Sequence, residues 1–107
     1  MGRIVGYIQF EDELDRVTQK AAIDKFVKEK FGTDKIDYVY ENVKSFISWR
    51  NRTLGKEVLP SLNKGDVLVV SESKRLGNST PEIDVLLMYI IDKGADVYEA
   101  RLNTKLT

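Results

Sequence analysis

Gly65-Asp66-Val67-Leu68-Val69-Val70-Ser71-Glu72-Ser73-Lys74-Arg75-Leu76-Gly77-Asn78 is the stretch whose reading decides the fold. A Gly-Asp turn feeds four consecutive apolar residues, Val67 to Val70. An unbroken apolar run between turn signals predicts a strand covered on both faces, rather than one with a wet side. The run gives way to a polar loop that carries Lys74 and Arg75 and closes on Gly77. Open α/β sheets hold ligands in loops at the carboxyl ends of such strands, so Arg75 marks where chemistry is expected.

Working outward, Arg3 to Phe10 is β-branched and aromatic and predicts a first, central strand. Glu11 to Asp15 is an acidic loop or first helical turn. From about Val17 to Phe31 the residues Ile23, Phe26, Val27 and Phe31 share one helical face, with Gly32 placed to stop the helix. Lys35 to Tyr40 predicts a second short strand, and Glu41 to Arg52, with neither period, a loop. Leu54, Val58 and Leu62 recur every four residues, a short helix that Pro60 is expected to end or kink near Leu59. Beyond the Val67–Val70 strand, Ser79-Thr80-Pro81-Glu82 carries the cap, proline and acid of a helix start. Ile83, Leu86, Leu87, Ile90 and Ile91 form that helix's expected buried stripe, and Lys93-Gly94 its end. Ala95 to Leu102 predicts a last strand, followed by an edge segment through Thr107. The alternation predicts a three-layer α/β/α domain of Rossmann-like or flavodoxin-like type, with a mostly parallel sheet of four to five strands in a single domain, 1–107.

Composition removes several classes of function. Hydrophobic residues at 42% and charged residues at 32% exclude a disordered chain. Seventeen Lys and Arg balance seventeen Asp and Glu, so no global field draws the protein to nucleic acid or an anionic membrane. DNA binding is therefore expected to be weak for this chain alone, a local patch excepted. Cysteine and histidine are both absent, which removes disulfides, thiolate chemistry and His-based proton transfer, and argues against zinc. No metal and no cofactor are expected. The chain enters a strand at once, without a signal peptide or a membrane-length apolar run, and the expected location is cytoplasmic.

Arg3-Ile4-Val5-Gly6-Tyr7, Gln19, and Gly65-Asp66-Val67-Leu68-Val69-Val70 followed by Arg75-Leu76-Gly77 resemble the catalytic domain of serine recombinases, the resolvase/invertase family. The spacing from Arg52 to Gly65-Asp66 and the helix ending in Lys93-Gly94 fit the same pattern. The resemblance covers essentially the whole chain, as a catalytic-type domain without the family's long dimerisation helix or its DNA-binding domain. It implies a resolvase-like fold and a chemistry in which a serine after the first strand attacks a DNA phosphodiester among arginines. On this chain it places Arg52 and Arg75 at phosphate-binding positions.

At the other positions the resemblance carries, the chain departs. The arginine and serine of the first strand's end are Gln9 and Glu11, the acid before the loop arginine is Lys74, and the loop's second arginine is Asn78. A carboxylate in place of the nucleophile repels an approaching phosphate, and Glu11 is expected to pair instead with Arg75 or Arg52. The active site therefore reads as degenerate, with Arg52 and Arg75 as a residual anion site. Phe46, Trp49 and Arg50 interleave with Lys44 and Arg52 in a loop that suits a protein contact, single-stranded nucleic acid, or simple packing of its aromatics onto the core. The leading expectation is an inactive recombinase-like domain that binds a protein partner or itself. The alternatives are an active recombinase using Ser45 or Ser48 as a shifted nucleophile, and an unrelated flavodoxin-like binding module.

Overall fold

The computed structural model describes residues 2–107. Its five strands are β1 (Ile4–Phe10), β2 (Asp37–Asn42), β3 (Val67–Val70), β4 (Asp96–Glu99) and β5 (Thr104–Lys105). They form one sheet in the order β2-β1-β3-β4-β5, parallel except for the antiparallel β4–β5 pair. The helices are α1 (Glu13–Phe31), α2 (Leu59–Ser61) and α3 (Thr80–Asp92). The α/β expectation holds, including the short edge strand.

The apolar run of β3 is fully buried because the sheet is covered twice. Val67 and Val69 face α1, packing with Ile4, Ile8, Ile23, Phe26 and Val27. Leu68 and Val70 face the other layer, where Leu54, Val58, Leu62, Leu86 and Ile90 meet Val5, Tyr7 and Val97. Gly65, at φ +88°, makes the turn into β3 in a conformation that favours glycine. Its carbonyl accepts the Gly2 N–H at 2.8 Å. The Asp66 carboxylate accepts the N–H groups of Arg3 at 3.0 Å and Asn63 at 2.8 Å, tying the start of β1 to the start of β3.

Several boundaries differ from the sequence reading for identifiable reasons. Helix α1 begins at Glu13, so of the two readings of the acidic stretch the first helical turn is the one found; Asp12 caps it by accepting the Asp15 N–H. Gly32, at φ +68°, ends it. Strand β2 lies two residues later than expected, and its last residues, Glu41 and Asn42, come from the segment read as loop. The helix through Pro60 does not stop at Leu59. A π-helical turn, Leu54–Val58, carries the chain directly into α2, and the helical path ends just past Pro60, at Ser61. Strand β4 ends at Glu99, and residues 100–103 turn the chain into β5. Ile91, expected in the buried stripe of α3, is 52% exposed; Leu86 and Ile90 are buried, and Ile83 and Leu87 pack partly against them.

The π turn is pressed against the 3-10 turn Trp49–Asn51, and the contact is possible because residue 55 has no side chain. A Cβ there would lie 2.4 Å from the Trp49 carbonyl oxygen and 3.0 Å from the Arg50 Cα. Both are backbone atoms that cannot step aside cheaply. Gly55→Ala is expected to destabilise the protein by about 1–3 kcal/mol, read as a lower urea midpoint at unchanged slope. An unaltered midpoint would mean that the turn relaxes away from Trp49 at no cost.

Candidate functional site

Chain order places β2 on one side of β1 and β3 on the other, so successive connections leave in opposite directions and open a crevice at the carboxyl ends of β1 and β3. Gln9 enters it from β1, Asp15 and Gln19 from α1, and Ser71, Glu72 and Arg75 from the loop after β3. Gln19 joins all three elements: its amide N–H groups donate to the Gln9 carbonyl at 2.6 Å and to Asp15 at 3.0 Å. Its amide oxygen accepts from the Ser71 hydroxyl at 3.4 Å. Gln9, Gln19 and Ser71 are all buried.

Arg75 points into this crevice and is surrounded. Its Nη2 lies 3.0 Å from Asp15 Oδ1 and 3.6 Å from Glu72 Oε1, and its Nη1 donates to the Gln9 side chain at 3.3 Å. Burial raises the Glu72 carboxyl, but the Lys74 hydrogen bond and the charges of Lys74, Arg75 and Arg101 outweigh it and hold it below the usual range. The crevice cation is thus balanced by two carboxylates from its own chain. Asp15 is the partner that sequence reading missed; its spacing of four from Gln19 on α1 is the signal that puts both on one helix face.

Two expected pairings are corrected. Glu11 contacts neither Arg75 nor Arg52; it pairs with Lys44 at 3.2 Å at the crevice mouth, where its side chain is 43% exposed. Arg52 is not presented to an anion, being 0% exposed. It donates from Nε to Ile47 O at 2.8 Å, from Nη1 to Arg75 O at 2.7 Å and from Nη2 to Ser45 O at 2.9 Å. It acts as a clasp between the 45–47 loop and the turn that carries Arg75. Beneath it, the buried Glu41 accepts the Tyr7 hydroxyl at 2.8 Å and the Thr53 N–H at 2.6 Å. Burial first, then that Glu41 bond, push the Tyr7 phenol far above its usual range.

The other singled-out residues fall around the rim. Lys74 pairs with Glu72 at 3.3 Å and is largely exposed. Asn78 is exposed, and its backbone N–H donates to Glu82 Oε2 at 2.9 Å. Of the loop aromatics only Phe46 reaches the surface, at 67% exposure. Trp49 is buried, with its backbone and indole N–H groups both donating to Glu82. Arg50 lies over the outer side of that indole, 4.3 Å from the ring centroid. Trp49 therefore packs onto the core, while Phe46 and Arg50 stay accessible beside Lys44 and Ser45.

Compared by sequence, the chain matches no protein-family model and no curated protein. Compared by structure, it superposes on the crystal structure of the N-terminal catalytic domain of TP901-1 integrase with a TM-score of 0.77. The superposition covers 97% of this chain and 82% of that one, at 11% identity. The chain has the fold of that integrase's catalytic domain. The fold expected from the resemblance is borne out, and at 11% identity the likeness speaks for the fold alone.

Two measurements follow from these contacts. Asp15→Asn with Glu72→Gln removes both carboxylates from Arg75. Inorganic phosphate is expected to raise the melting temperature of that variant while leaving the parent unmoved; equal response of the two proteins would show that Arg75 is not held by its neighbours. Burial pulls the Glu82 carboxyl upward, but the N–H groups of Asn78 and Trp49, the Ser48 hydroxyl and the Arg52 charge outweigh it and keep it below the usual range. A depressed folded value means that the stability Glu82 lends is complete above its unfolded pKa of roughly 4.3 and is lost as the pH falls through the folded one. The urea midpoint is expected to drop across that acidic window, less steeply in Glu82→Gln.

Proposed function

We propose that this chain is a catalytically inactive serine-recombinase-like domain that acts through protein–protein contacts, as a regulatory or assembly partner. The observation that carries the reading is the Arg75 guanidinium, bound by Asp15, Glu72 and Gln9 of its own chain. A phosphodiester entering this crevice finds a cation already neutralised by Asp15 and Glu72, with the Asp12 carboxylate close by at the cap of α1. Repulsion between like charges in a partly desolvated cleft opposes the approach. The Ser71 hydroxyl, which follows β3 directly, is fully buried and bonded to Gln19.

A shifted serine nucleophile finds little support. The Ser48 hydroxyl caps the 3-10 turn by accepting the Arg50 N–H at 3.3 Å, and Ser45 lends its carbonyl to the Arg52 clasp. Neither has a neighbouring imidazole to take its proton. A binding role draws support from the outer face of α3, where Met88, Ile91, Tyr89 and Val85 are exposed at 64%, 52%, 50% and 37%. Four apolar side chains presented by a single helix are more than scattered surface residues require.

Incubation with supercoiled DNA, followed by denaturing electrophoresis, tests the inactive reading. Neither nicked product nor protein attached to a DNA end is expected. An adduct that disappears in Ser45→Ala or Ser48→Ala would overturn it. Light scattering over a wide concentration range tests self-association: a mass that rises with concentration and returns to monomer in Met88→Asp with Ile91→Asp identifies the α3 face as the contact between copies.

A further inference from the structure

The two edges of the sheet are protected unequally. At one, β5 is only two residues long and carries Lys105; shortness and charge both keep an edge from pairing further. At the other, β2 runs for six residues, Asp37-Tyr38-Val39-Tyr40-Glu41-Asn42, without proline, lysine or a bulge in its register with β1. An edge strand turns the N–H and C=O of every second residue away from its neighbour. Among the described residues, these outward groups of β2 meet no other main chain, except that the Val43 N–H donates to Glu41 O at 3.2 Å. Asp37, Tyr40 and Asn42 are all exposed.

The side chains along this edge are already held in place. On the α1 side, Tyr38 donates its hydroxyl to Asp24 at 2.6 Å, and Tyr40 stacks beside it with ring centroids 5.5 Å apart. Lys20 and Arg16 lie over the two rings, 5.0 and 5.2 Å from their centroids. Tyr40 is thus a fixed aromatic, 41% exposed, on an open edge. On the other side of the sheet, the Glu41 carboxylate is engaged by Tyr7 and Thr53 of its own chain.

We infer that β2 pairs antiparallel with β2 of a second copy, about a two-fold axis through Tyr40, joining two sheets into one. The inference rests on the protein–protein role proposed above and gives it a surface distinct from α3. The sequence of the strand argues for the occupant. A two-fold perpendicular to the sheet keeps each residue on its own face, so the axis passes through a residue and not between two. Through Val39 it would set Asp37 opposite Glu41 of the other copy, twice, and like charges directly opposed disfavour pairing. Through Tyr38 or Glu41 it would leave much of the strand without a partner. Through Tyr40 it sets Tyr38 opposite Asn42, Val39 opposite Glu41 and Tyr40 opposite itself, with no like charges facing. A strand from another protein would find the same main chain but little to select it, since the exposed carboxylate of Asp37 already lies 3.8 Å from Arg3.

The chain has no cysteine, so a single introduced one reports only on its own neighbours. Residues directly opposite in an antiparallel pair have Cα atoms about 4.5–5.5 Å apart, within reach of a disulfide. Under copper–phenanthroline oxidation, Tyr40→Cys is expected to form a covalent dimer about tenfold faster than Asn42→Cys, which this axis holds apart from its own copy. It is expected to outpace Leu102→Cys equally, although Leu102 is the more exposed residue at 72%. With α3 altered by Met88→Asp and Ile91→Asp, the mass from light scattering is still expected to rise with concentration. Adding Tyr40→Lys, which sets two ammonium groups opposite one another, is expected to hold it at the monomer with the far-ultraviolet spectrum unchanged. Equal crosslinking at positions 40, 42 and 102, a monomer in the α3 variant alone, or a mass that still rises with Tyr40→Lys would each overturn the pairing. A DNA adduct would sink the inactive reading and leave this pairing standing; failure of Tyr40→Cys to crosslink would do the reverse.

Discussion

Four residues buried on both sides, Val67 to Val70, hold this domain together. Each such side chain is worth about 1.5–3 kcal/mol when removed from water, so the run accounts for an amount comparable to the whole net stability of a typical domain. The gain is available only if apolar layers close on both faces. That requirement fixes α1 on one side and the π turn, α2 and α3 on the other. It also fixes where the crevice falls, because β1 and β3 are neighbours whose connections depart in opposite directions.

The fold fixes where the crevice falls, and the charges inside it are set separately. The sheet and the switch point place the loop carrying Arg75, while Asp15 and Glu72 of the same chain supply the charges around it. An arginine ringed by its own carboxylates holds structure. An arginine facing open space recruits an anion. The difference rests on Asp15 and Glu72, which lie on separate elements brought together by the packing of α1 on the sheet.

Sequence patterning revealed the elements that obey one period and misplaced those decided by tertiary contacts. The β3 run, the Gly32 stop and the Ser79 cap were legible because each is a local signal with a local cause. Ile91 was misread because a helical stripe five residues wide exceeds what one sheet face can cover, and only Leu86 and Ile90 reach full burial. The continuation through Pro60 was hidden, since a π turn leaves no mark in periodicity. At the site, Arg75 was legible from its loop. Its bond to Asp15 was not, because a contact across sixty residues has no one-dimensional signature. Arg52 was read as part of an anion site; its three carbonyl partners belong to loops whose approach only the fold decides.

The Arg52 clasp has a mechanical consequence. One guanidinium bonds carbonyls on both lips of the crevice, at Ser45 and Ile47 on one and at Arg75 on the other. A planar, always-charged group with no solvent contact cannot release one lip without stranding a buried charge. The two lips are therefore coupled through one side chain, so a change that displaces either loop is felt at the other.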